Sequence, residues 1–341
     1  MRDLGTLAAA LSIFAALSAS AQNVITIKVG PGGQYARIAD AVGVANDDGD
    51  SGNYYIINLV PGTYLNDFPT VLRPMTIQAD PAAAPNRAIL QATVPLPNEK
   101  GIIVTLASLT IRRLVFTGAQ ISNDLGGNGV GIRDQTPDGT PASLVVDDSV
   151  FKHNQQGILQ CCNTAEMITI SNSQFRNNGN PDPDFFQHGI YIGPAAHLAV
   201  VNSLFCGQLF GHAVKSRAAQ TIVADSQVYT GEGAPASAGC RVGSASFNIH
   251  VANGGIAVIS GNTLVQGPSA QNRKIVSYGD EGMTYRDNSL AVTKTSFVST
   301  AGSIGISDPP CVPVGHAGNS YTGLRKIVDP AGCFAPGHIG K

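Results

Sequence analysis

LVVDDSVF from Leu144, ITISNSQF from Ile168 and LAVVNSLF from Leu198 each set a short apolar alternation ahead of an Asp-Ser or Asn-Ser pair and a further apolar residue. Less regular copies read LTIRRLVF from Leu109, TIVADSQV from Thr221, AVISGNTL from Ala257 and MTYRDNSL from Met283. Successive starts are 35, 24, 30, 23, 36 and 26 residues apart, the range in which each repeat is one coil of a solenoid. A single coil cannot bury its apolar face alone, so the coils must stack, and the uneven spacing places loops between otherwise constant strands. A β-propeller needs repeats of roughly 40 residues with hairpin-linked strands, and a leucine-rich repeat needs regular Leu ladders. Neither pattern is present. Asp147, Asp148, Asn172, Asn202, Asp225 and Asn262 are accordingly read as corner residues stacking coil on coil, ahead of any role as ligands or acids.

Composition agrees with a turn-rich β-protein: 13% charged residues, 6% aromatic, no Trp, 39 Gly and 20 Pro. The net charge of -2 gives no global basic field of the kind that nucleic-acid binding requires. At the N-terminus, Arg2 precedes an apolar run from Leu4 to Leu17 that ends in Ala19-Ser20-Ala21, the form of a cleavable secretory signal over residues 1–21. The expected product is a soluble, monomeric, secreted or periplasmic protein with no membrane span. Its solenoid is expected over 22–310, with a Pro/Gly-rich tail over 311–341. Six Cys remain after cleavage, and in an oxidising compartment an even number implies disulfides. Cys311 with Cys333, both in the tail, is the expected pair. No two Cys have the short spacing of zinc ligands.

The opening of the mature chain, VGPGGQYARIADAV from Val29 with VPGTY from Val60, resembles the entry of pectin-lyase-like β-helix proteins. That superfamily includes pectinesterases, polygalacturonases and several polysaccharide lyases. The resemblance implies an all-β chain, a single-stranded right-handed parallel β-helix with a short N-terminal capping helix. It is specific for architecture, because the fold carries lyases, hydrolases, esterases, epimerases and non-enzymatic adhesins.

Parallel stacking puts equivalent positions above one another at about 4.8 Å per coil, so the strand ahead of each repeat can be read as a column. The segments are QGILQ from Gln156, HGIYI from His188, HAVKSR from His212, NIHVAN from Asn248 and KIVSYG from Lys274. If Ile158, Ile190, Val214, Ile249 and Ile275 face inward, then Leu159, Tyr191, Lys215, His250 and Val276 form one outward line. Arg217 and Tyr278 flank it, and Arg133 extends it toward the N-terminal coils. The chain has only 21 Lys and Arg, yet Lys215 and Arg217 share one strand between a Tyr and a His on adjacent coils.

This set suits β-elimination on a uronic-acid polymer. Arg217 offers a planar fork for the sugar carboxylate, Lys215 in its amine form is the base, and Tyr191 or His250 returns a proton to the leaving oxygen. His188, His212, Arg133, Tyr278 and Asn253 are the expected substrate contacts, although His188 and His212 serve equally well as corner residues bonded to the backbone. The Lys/Arg pairing is similar in kind to that of β-helix polysaccharide lyases. HGIYIG and HAVKSR also resemble the His-Gly and Arg-x-Lys elements of polygalacturonases, but glycoside hydrolysis needs paired carboxyl groups and the column has none. A pectinesterase meets the same objection. A C5-epimerase shares the proton abstraction, and a non-catalytic carbohydrate-binding or structural β-helix would use the same cations as anchors. The expected partner in every case is an acidic polysaccharide, with no organic cofactor. Calcium is admitted through Asp182, Asp184, Asp280 or Glu281, each also readable as a turn residue.

Overall fold

A computed structural model describes residues 22–330. Its strands pair in parallel to form three sheets, of eleven, ten and ten strands among the described residues, and each full coil gives one strand to each sheet. The fold is a right-handed parallel β-helix. The repeats lie in the eleven-stranded sheet, where Leu109, Leu144, Ile168, Leu198, Thr221 and Ala257 pair in succession. All six are buried, and so is the parallel row Ile111, Val146, Ile170, Val200, Val223 and Ile259. Removing both rows from water, coil after coil, supplies the hydrophobic drive that a single coil lacks.

The seventh copy needs correction. Ala257 pairs with Leu290, so the strand is Ser289–Thr293, and all but the last two residues of the apparent repeat from Met283 lie in the loop before it. The boundary at 310 also moves. Strands Val314–Ala317, Ser320–Thr322 and Lys326–Asp329 pair with the preceding coil, so helical stacking runs on into the supposed tail.

The Asp/Asn-Ser pairs make the first corner. Asp148, Asn172, Asn202 and Asp225 take positive φ of 45°, 52°, 47° and 51°, a region that short polar side chains tolerate best after glycine. The following Ser hydroxyls form a ladder. Each donates to its own coil, as Ser173 Oγ does to Ser171 O at 2.7 Å, and accepts an N–H from the preceding coil, as from Ser149 N at 3.1 Å. Ser203 and Ser226 repeat the arrangement, so the corner satisfies backbone groups that would otherwise be buried unpaired. Beyond it, Phe116, Phe151, Phe175 and Phe205 stack with centroids 4.7, 4.8 and 4.6 Å apart, which is the coil spacing itself.

The expected capping helix is Ile38–Asp47, with Ile38, Ala41, Val42 and Ala45 buried against the first coil. Its first amides, Ile38 N and Ala39 N, donate to the Asp67 carboxylate at 2.5 and 2.9 Å. Disulfides join Cys161 to Cys162 and Cys206 to Cys240. Cys311 is disulfide-bonded too, while Cys333 and the segment 1–21, expected to be a secretory signal, lie outside the described residues. No helix among the described residues is long and apolar enough to cross a membrane.

One acid pair is built into the interior. Glu166 and Asp134 are fully or almost fully buried, and Gln160 Nε2 donates to Glu166 at 2.9 Å. Burial first, and Asp134 beside it, push the Glu166 carboxyl from its usual 4.5 up to about 9.

Two predictions follow from this packing. Phe151→Ala should lower the unfolding free energy by about 3–5 kcal/mol in chemical denaturation, because it opens a gap in a continuous aromatic stack. For Glu166, the folded pKa exceeds the unfolded one, so its contribution is complete below 4.5 and is lost as pH rises toward about 9. Thermal midpoints measured across that window should fall with pH in the wild type and stay flatter in Glu166→Gln.

Candidate active site

The outward column forms in the sheet containing strands Val130–Asp134, Gln156–Gln160, Ile190–Ile192, Val214–Ser216, Ile249–Val251 and Lys274–Tyr278. Arg133 pairs with Leu159, Leu159 with Tyr191, Tyr191 with Lys215 and Lys215 with His250. The four expected catalytic residues come together, since Arg217 Nε donates to Tyr191 Oη at 3.0 Å from the end of the Lys215 strand. The cations of Lys215 and Arg217 lie 5.6 and 5.9 Å from the centre of the Tyr191 ring, within the range of cation–π attraction.

The last rung departs from expectation. His250 pairs with Ser277, and Val276 rather than Ile275 stacks on Ile249. Ile275 and Val276 are both fully buried, so the alternation in this apolar pair gives no direction, and pairing with the previous coil decides the register. Tyr278 consequently stacks on Val251 inside the helix, with no exposed surface, and its hydroxyl donates to Gly255 O at 2.6 Å. It is a core residue and not a substrate contact.

The loop after this strand supplies groups that the column reading missed. Gly279 and Gly282, with φ of 67° and 109°, fold the chain back over the site, and Glu281 N donates to Ala252 O at 3.1 Å. Asp280 Oδ1 meets His250 Nε2 at 2.6 Å. Lys215 Nζ donates to Glu281 Oε1 at 2.7 Å, and Arg217 donates to Glu281 Oε2 and to Asn253 Oδ1. Burial raises the carboxyls of Asp280 and Glu281, but the bond and charge of His250 on the first, and of Lys215 with Arg217 on the second, outweigh it and hold both below their usual values. Asp280 and Glu281 are therefore more than plain turn residues, since each is bonded to a side chain of the sheet.

His250 is enclosed, its side chain only 2% exposed. His212 packs on it edge to face at 4.5 Å, so the ring is held from behind while Asp280 stands at Nε2. His188 and His212 stack at 4.9 Å. His188 Nδ1 accepts from His212 N at 3.0 Å, and His212 Nδ1 accepts from Phe247 N at 3.4 Å. Burial first, then the neighbouring cations and histidines, hold both rings well below the usual imidazole range. Each Nδ1 accepts a backbone N–H and so carries no proton, which leaves the proton on Nε2 as a donor beside the corner role. Arg133 is partly buried two rungs from Tyr191, and burial draws its guanidinium down from its usual range.

The other acidic candidates do not join this site. Asp182 accepts from Asn123 Nδ2 at 2.9 Å and from Asp184 N at 3.1 Å, which makes it the organiser of its own turn. No grouping of three or more His, Cys, Asp or Glu side chains among the described residues is arranged to hold a metal ion.

Comparison with known proteins adds one firm statement. No protein-family model matches the chain, and no curated protein matches its sequence. Among solved structures, an alginate lyase from Paenibacillus sp. is similar at 15% identity with a TM-score of 0.54, over 88% of this chain and 95% of that one. This likeness concerns the fold alone. A mannuronan C-5 epimerase A-module from Azotobacter vinelandii is 11% identical with a TM-score of 0.44, covering 85% of this chain and 91% of that one. A pectin methylesterase from Aspergillus niger is 11% identical with a TM-score of 0.39, covering 90% of this chain and 87% of that one.

The two loop carboxylates give the site an acid-sensitive tie. Their folded pKa values are depressed, so the stability they contribute is present above the unfolded values of 3.8 and 4.5 and is lost as pH falls through the folded ones. An Asp280→Asn, Glu281→Gln double variant should therefore show a shallower loss of thermal midpoint than the wild type when the two are compared at progressively lower pH.

Proposed function

We propose that the protein is a secreted polysaccharide lyase that cleaves a uronic-acid-containing chain by β-elimination. The observation that carries this reading is the juxtaposition of Tyr191, Lys215 and Arg217 on adjacent rungs of one sheet. The fold shared with an alginate lyase supports it, as do the disulfides, which fit an oxidising compartment.

The chemistry is assigned as follows. Arg217, steadied by Tyr191 and Asn253, neutralises the sugar carboxylate and so acidifies the proton on the adjoining carbon, C5. Lys215, as the amine, takes that proton. The C5–H electron pair forms the C4=C5 double bond, the C4–O bond breaks with its electrons on oxygen, and the Tyr191 hydroxyl protonates that oxygen. The Lys215 ammonium and the Tyr191 phenolate left behind exchange a proton through solvent to restore the site. His250 is enclosed and bound to Asp280, so it acts as a positioning residue behind Lys215 and not as the proton donor. The neutral His188 and His212 rings, with Arg133, border the sugar-binding surface.

Glycoside hydrolysis is disfavoured on a specific ground. It requires one carboxyl group that stays protonated at working pH, whereas the bond to His250 on Asp280, and Lys215 with Arg217 on Glu281, hold both carboxyls below their usual range. The assay is release of unsaturated, ultraviolet-absorbing ends from a panel of uronate polymers. Lys215→Ala should abolish that release, and so should Lys215→Arg, which keeps a cation beside Glu281 but cannot act as base. Arg217→Lys keeps the charge, loses the fork, and should weaken both KM and kcat. Full activity in either Lys215 variant would overturn the assignment, and an intact polymer across the whole panel would favour a binding protein.

A further inference from the structure

The Glu281 carboxylate is held the way a bound ligand would be. Its two oxygens are taken by two different cations, Oε1 by Lys215 and Oε2 by Arg217, while Arg217 also reaches Asn253 and Tyr191. The receiving groups belong to the rigid sheet, and Lys215 is only 11% exposed. Glu281 is different: it sits 35% exposed on a turn between two glycines of positive φ, followed by exposed Met283 and Thr284. Rotation of this one side chain vacates the position without disturbing the core, because Asp280 stays on His250 and the Tyr285 hydroxyl stays on Arg217 O.

We propose that Glu281 fills the subsite for the substrate's uronate carboxylate and is replaced by it on binding. The inference rests on the reading of the ligand as a uronate. The incoming carboxylate takes the Arg217 and Asn253 side of the subsite. Departure of Glu281 removes the anion paired with the Lys215 ammonium, which gives its extra proton to solvent, so the amine base forms only when a sugar carboxylate is present. An attached competitor of this kind lowers apparent affinity by the fraction of time that it occupies the site.

The test uses methyl glycosides of mannuronic, guluronic, galacturonic and glucuronic acid, which carry the carboxylate but no bond to be cleaved, with their methyl esters as neutral controls. Binding is followed by NMR titration of the full chain. At least one uronate should bind Glu281→Gln about tenfold more tightly than wild type. Its ester should bind neither protein measurably, and the gain should vanish in Glu281→Gln combined with Arg217→Gln. Glu281→Asp, which keeps the charge but is too short to bridge both cations, should fall between the two and covers the case in which the Gln variant folds poorly. If wild type binds a uronate and Glu281→Gln binds it no better, Glu281 is a structural tie and the subsite assignment falls, with the acidic-ligand reading left standing. If no uronate binds any of these proteins, both fall together.

Discussion

Register is the constraint on which the rest of the molecule depends. Each strand hydrogen-bonds to the coil before and the coil after it, so a residue is held against its equivalents at about the spacing of paired strands. The four-membered phenylalanine stack displays that spacing directly, with rings 4.6 to 4.8 Å apart and nearly parallel. Inside the helix the same rule builds rows of Leu, Ile and Val. At the corner it builds the serine ladder, where each hydroxyl serves two coils. A slip of one residue in any strand would turn its apolar set outward, which is why the apolar alternation specifies register so strongly. The open end of the first coil is covered by the helix Ile38–Asp47, whose Asn46 side chain donates to Thr70 O and accepts from Leu72 N.

On the outer face the same stacking has an electrostatic cost. Lys215 and Arg217 lie two residues apart, with Arg133 further along the sheet. Like charges at such distances repel, and little water reaches Lys215 to screen them. The loop after Tyr278 offsets this by returning two carboxylates to the preceding coils. Bonds and charge met there hold both carboxyls below their usual range despite burial. A rigid sheet thus fixes the cations while an exposed turn carries the counter-charges, a division of labour that leaves the site able to exchange an internal carboxylate for an external one.

The capping helix was legible through the resemblance of its segment, and the sequence by itself determined the repeat, the parallel stack and most of the outward column. Those features follow from local patterns: period-two alternation, short polar residues that accept positive φ, and one side chain of each type per coil. Tyr191, Lys215 and His250 could be aligned from sequence because their strands carry unambiguous alternation. The reading failed where that signal failed. Ile275 and Val276 are both apolar, so nothing local chose between them, and the resulting shift placed Tyr278 outside when it packs within. MTYRDNSL imitated a repeat and hid the loop that closes over the site. Only the tertiary structure could place Asp280 on His250 and Glu281 between Lys215 and Arg217, contacts across 30, 66 and 64 residues. Such pairs depend on where a loop returns, and a loop's path is set by the coils it lies on, not by its own composition.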